Sequence, residues 1–225
     1  MAVQLAPMIE HTLLRPDAVA VDYERLCREA LEFHFYGVCV PPDRVRFARS
    51  LLAGSSVRVV TVIGFPLGFQ TGPVKVREAE NALAEGAQEL DAVLNIGALK
   101  EGRFQEVEKE LRDLVAVCDG LKPERPLLKI IIETCYLTDS EKLLAVRLIR
   151  EAGADFVKTS TGFGPGGATV EDVSLLKGAA DGRLKIKAAG GIRTRAQALA
   201  LMAAGAHRLG TSCGPALLQE EDSLL

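Results

Sequence analysis

Lys158 lies in the segment DFVKTSTGF, residues 155–163, within an otherwise apolar strand pattern and just ahead of a Ser/Thr/Gly loop. Read as a strand, the segment puts Phe156, Lys158 and Ser160 on one face and Val157 and Thr159 on the other. The pattern recurs in LKIKAAGGIR, residues 184–193, where Lys187 follows Ile186 and runs into a Gly-Gly turn. An ammonium group without a partner is costly inside a protein. Two lysines so placed, each followed by a glycine-bearing loop, suggest amine chemistry beside a phosphate site.

A lysine must be neutral to attack a carbonyl. At the unperturbed pKa of about 10.4, only about one lysine in 2,500 is neutral at pH 7. A second ammonium about 6 Å away, at an effective dielectric near 20, disfavours the charged form by roughly 2.8 kcal/mol. That is about two pKa units, and burial adds to it. Lys158 and Lys187 on inward faces of adjacent strands would supply the pairing, and with it the parts of a Schiff-base site. The competing explanation is that strand lysines snorkel from a strand end or pair with a carboxylate. Lys129 and Lys185, near strand beginnings, are read that way.

Proton transfer needs a further group. Asp91, in ELDAVLN, shares a strand face with Val93 and Asn95, so an inward Asp91 carries a carboxylate into the core. Buried carboxylates need partners, and the lysines are available, for proton transfer or simply for an ion-pair network. Glu133 is a weaker candidate that could face solvent. Anion binding is suggested by AGGIR (189–193) and LGTS (209–212), with Gly190, Gly191, Gly210 and Ser212; Thr161 and Gly162 could add donors. Glycines let backbone N–H groups approach an anion, although a Gly-Gly pair can also be a plain tight turn.

Other chemistries have little support. His11, His34 and His207 show no HxH or HExxH spacing, so a metal site is not expected. Ser160 and Ser212 sit in no GxSxG elbow. The five cysteines, Cys27, Cys39, Cys118, Cys135 and Cys213, show no CxxC pair and indicate neither a disulfide framework nor zinc. Cys39 and Cys135 are read as core thiols near strand ends.

The elements that must position these residues alternate along the whole chain. Strands are predicted over 8–13, 37–40, 57–63, 89–95, 127–133, 155–160, 184–189 and 207–211. Helices are predicted over 21–33, 42–52, 73–85, 104–118, 140–151, 170–179 and 194–203. Pro42 and Pro73 suit first helical turns, and Thr138 or Asp139 can cap the helix that follows. Gly86, Gly153 and Gly205 each end a helix in a Gly-Ala pair leading into a strand. Such strands, apolar on both faces, imply a parallel sheet covered by helices.

Eight of these units in 225 residues suit a single (β/α)8 TIM barrel, an α/β fold occupying 1–225 as one domain. An open doubly wound sheet is the alternative, but no GxGxxG follows the first strand and no P-loop occurs. In a barrel, Lys158 and Lys187 fall late in their strands, at the end where active sites lie, and the Gly-Gly and LGTS segments follow strands seven and eight, where phosphate often binds.

Composition adds bounds. The chain is 48% hydrophobic and 25% charged with a formal net charge of −3, so no general field draws nucleic acid or anionic membrane. No apolar run reaches the roughly 18 residues of a membrane span, and the N-terminus does not read as a secretory signal. A cytoplasmic enzyme with neither nucleic acid nor membrane as partner is expected.

Taken together the segments resemble deoxyribose-phosphate aldolases, class I aldolases of the (β/α)8 type. The resemblance runs through IEHTLL (9–14), VCVPP (38–42), VTVIGFPLG (60–68), ELDAVLNIGALK (89–100), KIIIETCYLT (129–138), FVKTSTGF (156–163), KAAGGIRT (187–194) and RLGTS (208–212). It implies reversible cleavage of 2-deoxy-D-ribose 5-phosphate to acetaldehyde and D-glyceraldehyde 3-phosphate, without metal or organic cofactor. It further implies Lys158 as the Schiff-base lysine, Lys187 as the group lowering its pKa, and Asp91 moving protons with Lys187 and a water. Thr161, Gly162, Gly190, Gly191, Gly210 and Ser212 would surround the phosphate, and Thr12 would lie near the sugar hydroxyls. A homodimer or homotetramer is implied as well.

Three positions depart from the family pattern: Glu10 in place of a common Asp, Ala189 in place of a common Ser, and an EEDSLL end without the terminal tyrosine of some members. Other readings stay open at this point: another lysine-dependent barrel aldolase, a metal-dependent one, or a non-catalytic sugar-phosphate-binding barrel.

Overall fold

Each of the eight apolar runs becomes a strand, because alternate side chains can enter a central bore while the others meet a surrounding layer of helices. The computed structural model describes residues 4–121 and 123–219; the EEDSLL segment lies outside them. In chain order, β1 (Ile9–Thr12) leads through α1 (Ala20–Glu32) to β2 (Gly37–Val40), then through α2 (Val45–Leu51) to β3 (Arg58–Ile63) and α3 (Gly72–Ala84). Two helices, α4 (Ile96–Lys100) and α5 (Phe104–Asp119), separate β4 (Glu89–Val93) from β5 (Leu127–Ile131). There follow α6 (Asp139–Ala152), β6 (Phe156–Lys158), α7 (Val170–Ala180) and β7 (Lys185–Ala189). The described chain ends with α8 (Arg195–Ala204), β8 (Arg208–Thr211) and α9 (Gly214–Gln219).

Every strand pairs in parallel with the next, and β8 returns to β1 with Ile9 opposite Leu209. The sheet is a closed (β/α)8 barrel, as the sequence predicts, and not an open sheet.

Local signals explain most boundaries. Thr138, not Asp139, caps α6: its hydroxyl accepts from the Glu141 N–H, and the Glu141 carboxylate accepts from the Thr138 N–H in a capping box. Gly153 and Gly205 end α6 and α8 with φ of 91° and 119°, the left-handed conformation expected of them. The run at 42–52 is split, a 3-10 turn over Pro42–Arg44 preceding α2. Neither α4 nor α9 is predicted from sequence, since five or six residues are too few for helical periodicity to register. Asn95, read as a strand end, instead caps α4 by accepting from the Ala98 N–H.

Alternation along the strands produces two interiors. Val38, Val40, Ile130, Val157, Ile186 and Ala188 belong to one continuous apolar layer shared with the helices. Cys39, Val60 and Val62 form a small separate cluster. Most of the remaining bore is ionic: Glu10, Glu89, Asp91, Lys129, Lys158 and Lys187 are all at most 3% exposed. Helix-to-barrel packing therefore supplies the cohesion, leaving the bore to hold charge.

Candidate active site

Parallel register carries the charged residues into one cluster. Asp91 on β4 lies opposite Lys129 on β5, and Lys158 on β6 lies opposite Lys187 on β7. Residues paired in register point to the same side of a sheet, so all four enter the bore. Lys158 Nζ donates to Asp91 Oδ2 at 2.7 Å, and Lys187 Nζ donates to the same oxygen at 2.6 Å. The other carboxylate oxygen, Oδ1, accepts from Lys129 Nζ at 3.0 Å. Lys187 also donates to Glu10 Oε2, and Lys129 lies 3.5 Å from Glu10 Oε1.

The three lysines are all buried, yet their pKa values are displaced in different directions. Burial, aided by the Lys187 ammonium and opposed by Asp91, lowers the pKa of Lys158. For Lys187, burial acts in the same direction, but Asp91 and Glu10 outweigh it and the pKa rises. Lys129 is held well above the ordinary lysine range, because Asp91, Glu10 and Glu89 together overcome its burial. Burial alone would raise the Asp91 carboxyl; Lys129, Lys158 and Lys187 instead hold it well below the usual carboxylate range. Of the lysines in the bore, Lys158 is the one driven towards the neutral amine. It is also the one that lines the cavity at the barrel mouth.

That cavity has a volume of about 370 Å³. Lys158 and Thr12 line it together with Thr161, Gly162, Gly190, Gly191, Gly210 and Ser212. Two of the glycines sit in tight surroundings. A Cβ on Gly210 would come 3.1 Å from the Lys187 Cε and 3.0 Å from the Ala189 Cβ, so glycine leaves room for the Lys187 stem. At Gly190, φ is +86° and a Cβ would stand 3.1 Å from the Gly167 Cα. Backbone N–H groups along these turns, at the end of β7 and before α8, suit an anion.

Glu133 is buried, contrary to a solvent-facing reading. With φ of 49° it turns inward and accepts the Thr161 N–H at 3.2 Å, as well as the Thr161 hydroxyl. Both polar hydrogens of Thr161 are thereby committed to holding the loop. The same left-handed turn leads into a 3-10 turn, Thr134–Tyr136, which leaves Cys135 exposed and not in the core as read. Cys39 is fully buried, and burial pushes its thiol up to about 11.

Sequence reasoning missed several residues. Lys129 does pair with carboxylates, as read, but one of them is Asp91 itself; only strand register reveals this. Lys185 is exposed, with its ammonium 5.7 Å from the Phe156 ring centre. Arg15 and Arg193 also line the cavity, and their positions just beyond β1 and β7 were the available signal. Arg15 is held by Asp17 at 2.8 Å and Asp22 at 2.5 Å.

A family model described as the DeoC/LacD family aldolase matches residues 5–220. The chain belongs to that family. This aldolase is 53% identical over 216 residues to the deoxyribose-phosphate aldolase of Carboxydothermus hydrogenoformans, covering 96% of this chain and 94% of that one. It is 51% identical over 219 residues to the enzyme of the same name from Thermococcus gammatolerans, covering 96% and 95%. Among solved structures, the tetrameric deoxyribose phosphate aldolase of Aeropyrum pernix superposes on this aldolase with a TM-score of 0.90 at 33% identity, covering 98% of this chain and 92% of that one. Among the described residues, no helix of the aldolase is long and apolar enough to cross a membrane.

The central role of Lys129 in the aldolase has a measurable consequence. Lys129→Met should cost about 3–5 kcal/mol of unfolding free energy, because it strands buried carboxylates without their shared cation. Urea unfolding measures this, and a loss below about 1 kcal/mol would show that the carboxylates do not rely on Lys129.

Proposed function

We propose that this aldolase reversibly cleaves 2-deoxy-D-ribose 5-phosphate to acetaldehyde and D-glyceraldehyde 3-phosphate through a Schiff base on Lys158. The observation that carries the reading is the sharing of one Asp91 oxygen by Lys158 and Lys187 directly beneath the glycine-walled cavity. The names of the close relatives support the substrate.

The chemistry follows from those groups. Neutral Lys158 adds to the aldehyde carbon of the open-chain sugar, and loss of water gives a protonated imine. The bond between C2 and C3 then breaks; its electrons flow into the imine to give an enamine, while the C3 hydroxyl surrenders its proton and becomes the aldehyde of glyceraldehyde 3-phosphate. The enamine carbon takes up a proton, and water releases acetaldehyde and restores Lys158. Lys187, kept charged by Asp91 and Glu10, and Asp91 serve the proton movements with a water. The substrate phosphate sits against Gly162, Gly190, Gly191, Gly210 and Ser212, with Thr161 holding the loop; Thr12, whose hydroxyl donates to the Glu10 carbonyl at 3.0 Å, lies near the sugar hydroxyls.

The decisive experiment is reductive trapping with acetaldehyde and borohydride, followed by peptide mass mapping. A two-carbon adduct on Lys158 is expected. Binding of the sugar phosphate without any trapped lysine would favour a non-catalytic barrel. A second test addresses the phosphate wall. Gly190→Ala imposes an unfavourable backbone conformation worth about 1–3 kcal/mol and crowds Gly167. It should raise KM for deoxyribose 5-phosphate roughly tenfold or more while acetaldehyde trapping at Lys158 persists. A wild-type KM would remove this turn from phosphate binding.

We further infer a homodimer or homotetramer, supported by the tetrameric relative and checked by light scattering on purified protein. A cytoplasmic location is supported by five free cysteines, as expected of a reducing compartment.

A further inference from the structure

The ion cluster does not stop at the catalytic lysine; it continues to the opposite end of the bore. Glu89 opens β4, two residues before Asp91 and on the same face, and is 2% exposed. Its Oε2 lies 2.6 Å from Lys129 Nζ, whose hydrogen bond goes to Asp91 Oδ1. Its Oε1 accepts from the hydroxyl of Tyr36, a half-buried residue just before β2. The guanidinium of Arg208, from β8, lies over the Tyr36 ring. One continuous path therefore runs from Tyr36 through Glu89, Lys129 and Asp91 to Lys158.

We propose that Glu89 is a positioning residue for Lys158, acting through Lys129 and Asp91 from the far end of the barrel. This rests on the Schiff-base role of Lys158 argued above. Lys129 has three carboxylate neighbours, Glu10, Glu89 and Asp91. Glu89 takes up part of its charge, so Lys129 neutralises Asp91 only in part and Asp91 retains charge to share with Lys158 and Lys187. The groups facing Lys158 are Asp91 from β4, Lys187 from β7 and the Cys39 thiol from β2. Those facing Glu89 are Lys129 from β5 and the Tyr36 hydroxyl, with Arg208 behind the Tyr36 ring. Glu89 thus sets the balance of charge at the nucleophile without reaching the cavity: it is absent from the cavity lining.

The test is the pH dependence of imine trapping with acetaldehyde and cyanoborohydride, the adduct being located by peptide mapping. Wild type, Glu89→Gln and Tyr36→Phe are compared. Glu89→Gln removes one negative charge from the bore at nearly constant volume, so the ammonium form of Lys158 loses support. The acid limb of the trapping rate should move to lower pH by about half a unit or more, as expected for a unit charge about 10 Å away that Lys129 partly screens. Tyr36→Phe deletes only the hydroxyl that tempers the Glu89 charge, so its limb should move the opposite way, to higher pH. A purely structural role would lower trapping at every pH and leave the limb in place, and that result in Glu89→Gln overturns the proposal. Should Glu89→Gln fail to fold, Tyr36→Phe decides: an upward shift upholds the proposal, and an unmoved limb overturns it. An adduct on a lysine other than Lys158 in the wild-type protein would overturn the Schiff-base reading and this proposal together, an outcome separable from an adduct on Lys158 with unmoved limbs.

Discussion

Replacement of Lys158 by alanine or arginine is expected to reduce turnover of deoxyribose 5-phosphate by about five orders of magnitude or more, as loss of a covalent nucleophile does elsewhere. Arginine is the more telling change. It preserves positive charge near Asp91, but its guanidinium stays protonated and forms no imine. Alanine leaves Asp91 with Lys129 and Lys187, so the carboxylate keeps two cations and the barrel has no reason to unfold. The measurement is steady-state turnover alongside circular dichroism. Turnover above a few per cent of wild type in either folded variant would end the assignment.

The second large effect concerns Lys187. Its ammonium and that of Lys158 donate to the same oxygen at 2.6 and 2.7 Å, so they can be no more than about 5 Å apart. At an effective dielectric near 20, two unit charges at that distance repel by about 3 kcal/mol, or about two pKa units. Lys187→Leu removes the repulsion and leaves Asp91 to stabilise the Lys158 ammonium more strongly. The pKa of Lys158 then rises, and since the neutral amine is the active form, the acid limb of the pH–rate profile moves upward. At pH 7 the rate should fall about a hundredfold from this cause alone, and activity should partly recover in alkaline buffer. A uniform loss without a shift would assign Lys187 to proton transfer only; an unchanged profile and rate would remove it from the site.

Sequence was a good guide wherever a signal is local. Glycine stops, proline starts and the alternation of apolar runs locate all eight strands, because each depends on residues within a few positions. Lys158, Lys187 and Asp91 could be singled out for the same reason: each is an ion in an apolar strand. Longer-range facts were not legible. That Lys129 faces Asp91 depends on register between β4 and β5, which no single segment encodes. Which lysine has its pKa lowered depends on the distribution of carboxylates: Glu10 reaches Lys187 and Lys129 but not Lys158. Glu133 gave no sign of turning inward, since a left-handed glutamate is uncommon and nothing in its flanks requires it.

The placement of Glu10 has a consequence for folding. Its strand, β1, is the first in the chain, yet its side chain joins Lys129 from β5 and Lys187 from β7. β1 reaches β8 only when the cylinder seals. No half-barrel contains the whole cluster, whose first and last members, Glu10 and Lys187, are 177 positions apart along the chain. Such non-local contacts are late and slow to form. Activity returning after denaturation therefore reports closure of the last seam, not the earlier gathering of helices around an open sheet.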